Sequence, residues 1–368
     1  MLLEEYMETK ICLKEEYFTE KETAILTAGA LSASLFVYST GVSAVRLSND
    51  KGHIVVLPYM GQMVWRAEFL GRELTMKSIY DEPMPARETY GETYGGFLMH
   101  CGLTAMGNPT AEDTHLPHGE LPIARYHDVC ILCGEDEKGS YIGISGIYSH
   151  KRCFEADYVF CPTVKLYEGK TLLDVTVRFE NHKDLPLEYF YLCHINHRPV
   201  DGSRLFYTAP RDTIVVNHEV PANYDSQRAA KTNAYLDRLD KDPGLMDEIG
   251  APGQAYMPEI VFNCHYVGDE NGRAYTMQVF PDGNSVYVCH YPEELPFGVR
   301  WIARTPDEDA LGMVLPATGE HKGYLYCKAH GYERYLATGE SVTYHMETGL
   351  LDADATAAMR KKIETLGF

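Results

Sequence analysis

Histidine side chains are concentrated in three short segments of the sequence, 95–103, 113–122 and 189–202, one of which also carries a glutamate. Imidazole suits proton transfer near neutral pH and also ligates divalent metals. Glycine or proline borders each segment, as is common in loops that line a pocket, so we expect several of these side chains to meet at one site. The residues concerned are His100, His115, His118, Glu120, His194 and His197.

The third segment predicts how one of these histidines is positioned. It reads YFYLCHINHRPVDG, and side chains alternate between two faces of an extended strand. Leu192, His194 and Asn196 therefore share one face, while Cys193 and Ile195 point the other way. Polar residues at the end of an apolar face indicate a strand that runs out into a cleft.

The elements that must position these segments have the pattern of a β protein. Residues 172–180 alternate strictly between apolar and polar side chains. Short polar turns separate the other predicted strands, which lie at 53–59, 141–148, 274–280, 285–291 and 341–346. Helices are predicted at 226–240, with Ser226 as N-cap, and at 352–366. Residues 81–125 have no clear periodicity, which predicts a long functional loop.

Composition excludes several classes of protein. The 368 residues are 45% hydrophobic, 23% charged and carry a formal net charge of −20. This charge repels phosphate backbones and anionic lipid, so we expect neither a nucleic-acid partner nor a membrane. With no run of about 18 apolar residues and no export signal, we expect a cytoplasmic protein with free thiols. Cys130 and Cys133 form the one CxxC motif, which we interpret as structural.

Five motifs in a fixed order resemble the aldose 1-epimerase-like, or galactose mutarotase-like, superfamily. They are GGFLMHCGLTAMGNP (95–109), LPHGELPIA (116–124), LCHINHRPVDG (192–202), RW…ALGMVLPATG (300–319) and ERYLATGESVTYHMETGLL (333–351). The sequence is most similar to a bacterial branch described as a domain of unknown function. The resemblance implies a mostly β protein with few helices, a β-supersandwich formed by a large twisted antiparallel double sheet. We expect residues 1–40 to pack on the sheet, 41–351 to form the supersandwich and 352–368 to form a helix.

The resemblance also implies a reaction, in which a general acid and a general base interconvert the anomers of a sugar. His194 matches the family's acid histidine and His118 a second pocket histidine. The family's base glutamate is missing, because Leu315 occupies its position. We therefore predict that a relocated carboxylate, Glu120 or alternatively Glu320, takes this role.

Further residues are expected to bind the sugar. Asn196 would orient a hydroxyl group, and Trp301 would stack on the ring. Arg125, Arg198 and Lys322 would recognise an anionic sugar if the substrate carries a charge. The predicted substrate-binding set is His100, Asn196, His197, Arg198, Trp301 and Arg125. The expected partner is a small sugar, and the expected assembly is a monomer or homodimer.

Two alternatives remain open at this level. A metal-dependent sugar isomerase, epimerase or lyase would use a divalent ion held by His115, His118, Glu120 and His194. A carbohydrate-binding protein without activity would keep the pocket and lose the base. The first interpretation needs no cofactor, and no phosphate-binding or dinucleotide-binding glycine motif is present in the required context.

Overall fold

The computed structural model describes residues 8–218, 225–257 and 259–368, which form many strands and three α-helices. The strands are β1 (Thr9–Cys12), β2 (Thr23–Ala28), β3 (Leu31–Val37), β4 (Ser43–Ser48), β5 (Gly52–Val56), β6 (Val64–Phe69), β7 (Arg72–Glu73), β8 (Leu98–Leu103), β9 (His127–Asp136), β10 (Gly139–Arg152), β11 (Ala156–Tyr167), β12 (Leu172–Asn181), β13 (Leu187–Ile195), β14 (Arg204–Tyr207), β15 (Val215–Val216), β16 (Ile260–His265), β17 (Ala274–Val279), β18 (Ser285–His290), β19 (Phe297–Arg304), β20 (Asp309–Ala317), β21 (Arg334–Leu336) and β22 (Ser341–Leu351). The helices are α1 (Ser226–Leu239), α2 (Tyr324–Ala329) and α3 (Ala353–Thr365).

Two large antiparallel sheets contain these strands. The nine-stranded sheet has the order β1-β9-β10-β11-β12-β22-β18-β17-β14. The thirteen-stranded sheet has the order β15-β16-β19-β20-β13-β8-β6-β5-β4-β3-β2, with β21 and β7 paired to β13 and β6. Strands that are distant in the sequence, such as β8, β13 and β20, are neighbours in this second sheet, which brings together the histidine-bearing segments.

The main hydrophobic core lies between the two sheets. In β12, Leu173, Val175, Val177 and Phe179 are fully buried in this core, and the intervening residues are more exposed. This is the inward face that strict alternation predicts for a strand with one face in contact with a second sheet. The mostly β class and the antiparallel double sheet are therefore confirmed.

The predicted elements agree with the structure, apart from two details. All six predicted strands and both predicted helices are present. The N-cap of α1 is Asp225 rather than Ser226, because the Asp225 carboxylate accepts hydrogen bonds from the amides of Gln227 and Arg228. The segment 81–125 is not wholly irregular, since β8 crosses it as a fully buried strand.

The first forty residues contribute strands to both sheets. β1 is the outermost strand of the nine-stranded sheet, and β2 is the outermost strand of the thirteen-stranded sheet. The division of the chain at residues 40 and 351 stays a prediction. In the part of the chain that is described, no helix has the length and apolar character needed to cross a membrane.

A second apolar cluster covers the opposite face of the thirteen-stranded sheet. Its members include Leu192 of β13, Val261 of β16, Val299 and Trp301 of β19, and Leu315 of β20. These strands are adjacent in the sheet, with Val261 opposite Trp301 and Val299 opposite Leu315. They form an apolar floor on which loops can enclose a cavity.

Candidate active site

A cavity of about 560 Å³ lies on this floor and continues into solvent. The polar side chains that line it come from β13 and from loops, and they are Asn108, His118, His194, Glu259 and His321. Tyr90 and Tyr94 close it from the segment before β8.

His194 is held in one orientation by its neighbour in the sequence. Alternation along β13 places it on the cavity face with Leu192, while Cys193 and Ile195 enter the main core, as predicted. The Nδ1 atom of His194 lies 2.6 Å from the Oδ1 atom of Asn196. The Asn196 amide is fixed in turn, because its Nδ2 donates to the carbonyl oxygen of Gly96 at 3.0 Å.

This arrangement determines the tautomer of His194. Since the amide Oδ1 can only accept a hydrogen bond, the neutral imidazole carries its proton on Nδ1. The lone pair is then on Nε2, the ring nitrogen left for the cavity. Burial lowers the pKa of His194 to about 4, although the hydrogen bond to Asn196 partly offsets this effect. Near neutral pH, His194 is therefore an uncharged group that can accept a proton.

His118 is positioned by an unusual backbone. Its φ of +59° is left-handed, and Gly119 follows with a φ of +76°. The His118 amide donates to the carbonyl of Gly107 at 2.8 Å, and the His118 carbonyl accepts from the amide of Gly102 at 2.9 Å. The ring lies edge-on to His194, with 5.4 Å between the ring centres. Burial and the neighbouring His194 and His321 hold the pKa of His118 well below its usual range.

Glu259 supplies the carboxyl group of the cavity. It precedes β16, and its Oε2 accepts a hydrogen bond of 2.5 Å from the indole Nε1 of Trp301. The indole also packs edge-on against His194, with 5.5 Å between ring centres, so one side chain contacts both groups. Burial raises the pKa of Glu259, although the hydrogen bond from the Trp301 indole partly offsets this effect.

The cavity contains no cationic side chain among its described lining residues. His321 is also uncharged near neutral pH, because burial lowers its pKa to about 3. The carbonyl of His321 accepts a hydrogen bond from the Asn108 amide at 2.7 Å, which joins two loops of the cavity wall. The site thus combines uncharged imidazoles and one carboxyl group with an apolar floor.

Three of the predicted site residues line the cavity, namely His118, His194 and Trp301. Glu120 does not line it, because the backbone reversal at His118 and Gly119 turns its side chain elsewhere. The Glu120 carboxylate accepts hydrogen bonds from the amide and hydroxyl of Thr104 and from the hydroxyl of Tyr158. Asn196 contacts the site only through His194, as both ends of its amide already have partners.

The other predicted sugar-binding residues lie elsewhere. His100 is fully buried, with Nδ1 2.8 Å from the Tyr191 hydroxyl, and His197 packs edge-on to Phe97. The guanidinium of Arg198 donates to two backbone carbonyls, those of Thr75 and Met76. The other two predicted cationic side chains form salt bridges outside the cavity, Arg125 with Glu15 and Lys322 with Glu320.

The predicted metal ligands do not converge. His115 has both ring nitrogens close to backbone atoms, with Nδ1 2.8 Å from the carbonyl of Leu116 and Nε2 3.2 Å from the amide of Tyr324. Neither His115 nor Glu120 lines the cavity that contains His118 and His194. Within the described residues, one group has suitable ligand atoms close together, the exposed set His218, Asp237 and Asp240. None of these three lines the cavity.

Sequence reasoning missed Glu259, His321, Asn108, Tyr90 and Tyr94. Glu259 is 65 positions from His194 and lies outside the three histidine-bearing segments. The two tyrosines occur in the repeated ETYGETYGG segment, which contains no histidine. A glutamate directly before an apolar strand was the only available signal for Glu259.

The fold defines the class of protein, because solved structures with the same architecture are galactose mutarotase-like. A "putative aldose 1-epimerase" from Klebsiella pneumoniae superposes with a TM-score of 0.82 at 18% identity, over 99% of this chain and 96% of that one. A galactose mutarotase-like protein from Clostridium acetobutylicum gives a TM-score of 0.56 at 11% identity, over 88% and 99%. No curated protein matches the chain.

The sequence also matches a family that is more specific than the shared fold. Residues 39–350 match the model of the family described as domain of unknown function DUF4432, which is most of the chain. The protein therefore belongs to the DUF4432 family, with a galactose mutarotase-like fold, as the order of its motifs predicted.

Proposed function

We propose that the protein binds a small uncharged sugar in this cavity and interconverts its anomers by proton transfer between His194 and Glu259. One observation carries the proposal: an imidazole of fixed tautomer and a buried carboxyl group contact the same indole, Trp301, in one cavity. The galactose mutarotase-like fold and the similarity to an aldose epimerase-like protein support the same class of reaction.

The tautomer of His194 and the pKa of each group suggest which one accepts and which one donates a proton. His194 near neutral pH is uncharged with a lone pair on Nε2, so it is suited to accept the proton of the sugar's C1 hydroxyl. We assign to Glu259, whose pKa is raised by burial, the proton that is delivered to the ring oxygen. These roles are the reverse of those that the family resemblance implies, in which the histidine is the acid.

The proposed reaction balances within the site. As the C1 oxygen loses its proton to His194, the bond between C1 and the ring oxygen breaks and the ring oxygen takes the proton of Glu259. The open-chain aldehyde then rotates about the C1–C2 bond. Ring closure on the other face returns one proton to Glu259 and one to the C1 oxygen. The transient imidazolium and carboxylate have opposite charges, which stabilises the intermediate in a buried site.

The cavity walls suggest the character of the substrate. The apolar floor of Leu192, Val261, Val299 and Leu315 would contact the CH face of a sugar ring, beside Trp301. His118 would bind a hydroxyl through Nε2. An anionic sugar would find no cationic partner among the described lining residues, so we favour a neutral one.

Because Leu315 occupies the position of the family's base glutamate, a carboxylate elsewhere in the chain was expected to replace it. In this proposal that carboxylate is Glu259, rather than Glu120 or Glu320. The metal-dependent alternative loses support because its ligands lie apart. The binding protein without activity remains as an outcome of the test below.

Polarimetry tests the proposal directly. Freshly dissolved single anomers of neutral hexoses, pentoses and 6-deoxyhexoses would be followed with and without enzyme. We expect a faster approach to anomeric equilibrium for at least one sugar. His194→Ala and Glu259→Gln should each slow it by roughly 100-fold or more, the usual effect of losing a general acid or base. Glu135→Gln, on the exposed side of β9, is the matched control and should keep the wild-type rate.

Two results would contradict this assignment. A loss of rate in Glu120→Gln with an unchanged rate in Glu259→Gln would transfer the carboxylate role to Glu120. Thermal stabilisation by a sugar whose anomers interconvert no faster than in buffer would indicate a binding protein without activity.

A further inference from the structure

Two cysteines lie opposite each other at the edge of the nine-stranded sheet. Cys12 of β1 and Cys130 of β9 are paired in register, and neither lines the candidate active site. Their Sγ atoms are 2.8 Å apart as free thiols.

The backbone hydrogen bonds show which kind of pair this is. The amide of Leu13 donates to the carbonyl of Val129 at 2.7 Å, one residue beyond the pair on each strand. Cys12 and Cys130 are therefore a non-hydrogen-bonded pair, in which the Cα atoms of antiparallel strands approach to about 4.5 Å. This separation lies within the range of about 4.4–6.8 Å that a disulfide bridges.

The two thiols also share an accessible face. Val129 and Ile131 point into the main core, so Cys130 between them lies on the outer face of the sheet, and Cys12 is exposed. Cys133 is three positions along β9 and therefore points to the inner face. An oxidant in solution can reach Cys12, and Cys133 does not compete for it.

We propose that Cys12 and Cys130 form a reversible dithiol–disulfide site that ties β1 to the sheet. β1 has four residues and pairs with β9 alone among the described strands. A disulfide at its last residue would hold this edge strand in its present register. It would also close a loop that contains β8 and His118, and with them part of the cavity wall.

The chemistry requires a small-molecule disulfide, for which glutathione disulfide is the probe. The Cys12 thiolate attacks one sulfur of the probe, which releases one glutathione and leaves a mixed disulfide on Cys12. The Cys130 thiolate then attacks the Cys12 sulfur and releases the second glutathione. Two electrons pass from the protein sulfurs to the probe, and the two thiol protons leave with the glutathiones. Burial and the contact with Cys12 raise the pKa of Cys130 to about 12, so the exposed Cys12 makes the first attack; the second step depends on the short distance between the two sulfur atoms.

The test uses the full-length protein equilibrated in glutathione buffers from fully reducing to fully oxidising. After blocking and tryptic digestion, we expect peptide 11–14 cross-linked to peptide 126–138, with fragmentation assigning the bond to Cys130. The intact protein should lose the mass of two hydrogen atoms. The cross-link should persist in Cys133→Ser and disappear in Cys12→Ser and Cys130→Ser.

Thermal unfolding gives an independent readout on the wild-type chain. Closing a loop of this length should raise the unfolding midpoint by roughly 6 °C, and dithiothreitol should reverse the shift. Absence of the cross-link in every buffer, separate glutathione adducts on the two cysteines, or a cross-link through Cys133 would each overturn the proposal.

Discussion

Buried histidines make the fold sensitive to acid, and His290 allows the effect to be measured at one residue. His100, His197 and His290 are fully buried, and burial lowers the pKa of each to about 3. In the unfolded chain a histidine has a pKa of about 6.5. Below that pH the unfolded state binds more protons than the folded state, so stability falls as the pH decreases.

The size of the effect follows from the two pKa values. At pH 5 an unfolded histidine is mostly protonated while the folded one is neutral, which costs about 2 kcal/mol of unfolding free energy for each ring. The three rings together cost about 6 kcal/mol, a large part of the roughly 5–15 kcal/mol that stabilises a typical domain. The loss begins near pH 6.5 and continues to about pH 3.

His290→Leu isolates one of these contributions. Both ring nitrogens of His290 are buried and have no hydrogen-bond partner among the residues described, and the ring packs on Tyr266. Leucine fills a similar volume without polar atoms, so we expect the variant to be more stable by about 1–3 kcal/mol even at pH 7.5. Between pH 7.5 and pH 5 it should lose about 2 kcal/mol less than the wild type.

Urea denaturation at the two pH values measures this difference. Subtracting the wild-type change removes the contribution of all other titrating groups. His182→Gln is the matched control, because it removes an exposed histidine ring instead of a buried one. A His290→Leu variant that loses as much stability as the wild type between pH 7.5 and 5 would refute the reasoning.

Two further predictions concern the active site. Asn196→Asp would place a carboxylate beside Nδ1 of His194 and raise the pKa of His194, now about 4, by about 1–3. The acidic limb of the kcat/KM–pH profile of the proposed reaction should therefore move to higher pH. A limb that does not move would contradict the role of His194 as base. Gly119→Ala would strain a backbone with φ +76° by about 1–2 kcal/mol and place a Cβ against the carbonyls of Ala105 and Gly102. Its loss of unfolding free energy in urea should exceed that of Gly169→Ala, where φ is +71° and no atom lies within 4 Å; equal losses would argue against the contact.

Local patterns in the sequence were sufficient to predict where the main strands and helices lie. Alternation of apolar and polar side chains identified β12 and the cavity-facing side of β13, because each residue of a strand points to the face opposite its neighbours whatever the rest of the chain does. The face of β13 on which His194 lies could be predicted for this reason. The fold class followed from many short strands separated by polar turns.

Which residues line the cavity was decided by the tertiary structure. Glu120 is two residues from His118 but points away from it, because two left-handed backbone conformations in succession reverse the chain there. Glu259 is far away in the sequence but enters the cavity because β16 pairs with β19, the strand that carries Trp301. The types of the proposed catalytic groups, imidazole and carboxyl, could be anticipated from motifs in the sequence. Which imidazole lies close to which carboxyl group was decided by the order of strands in the sheet, which no local pattern encodes.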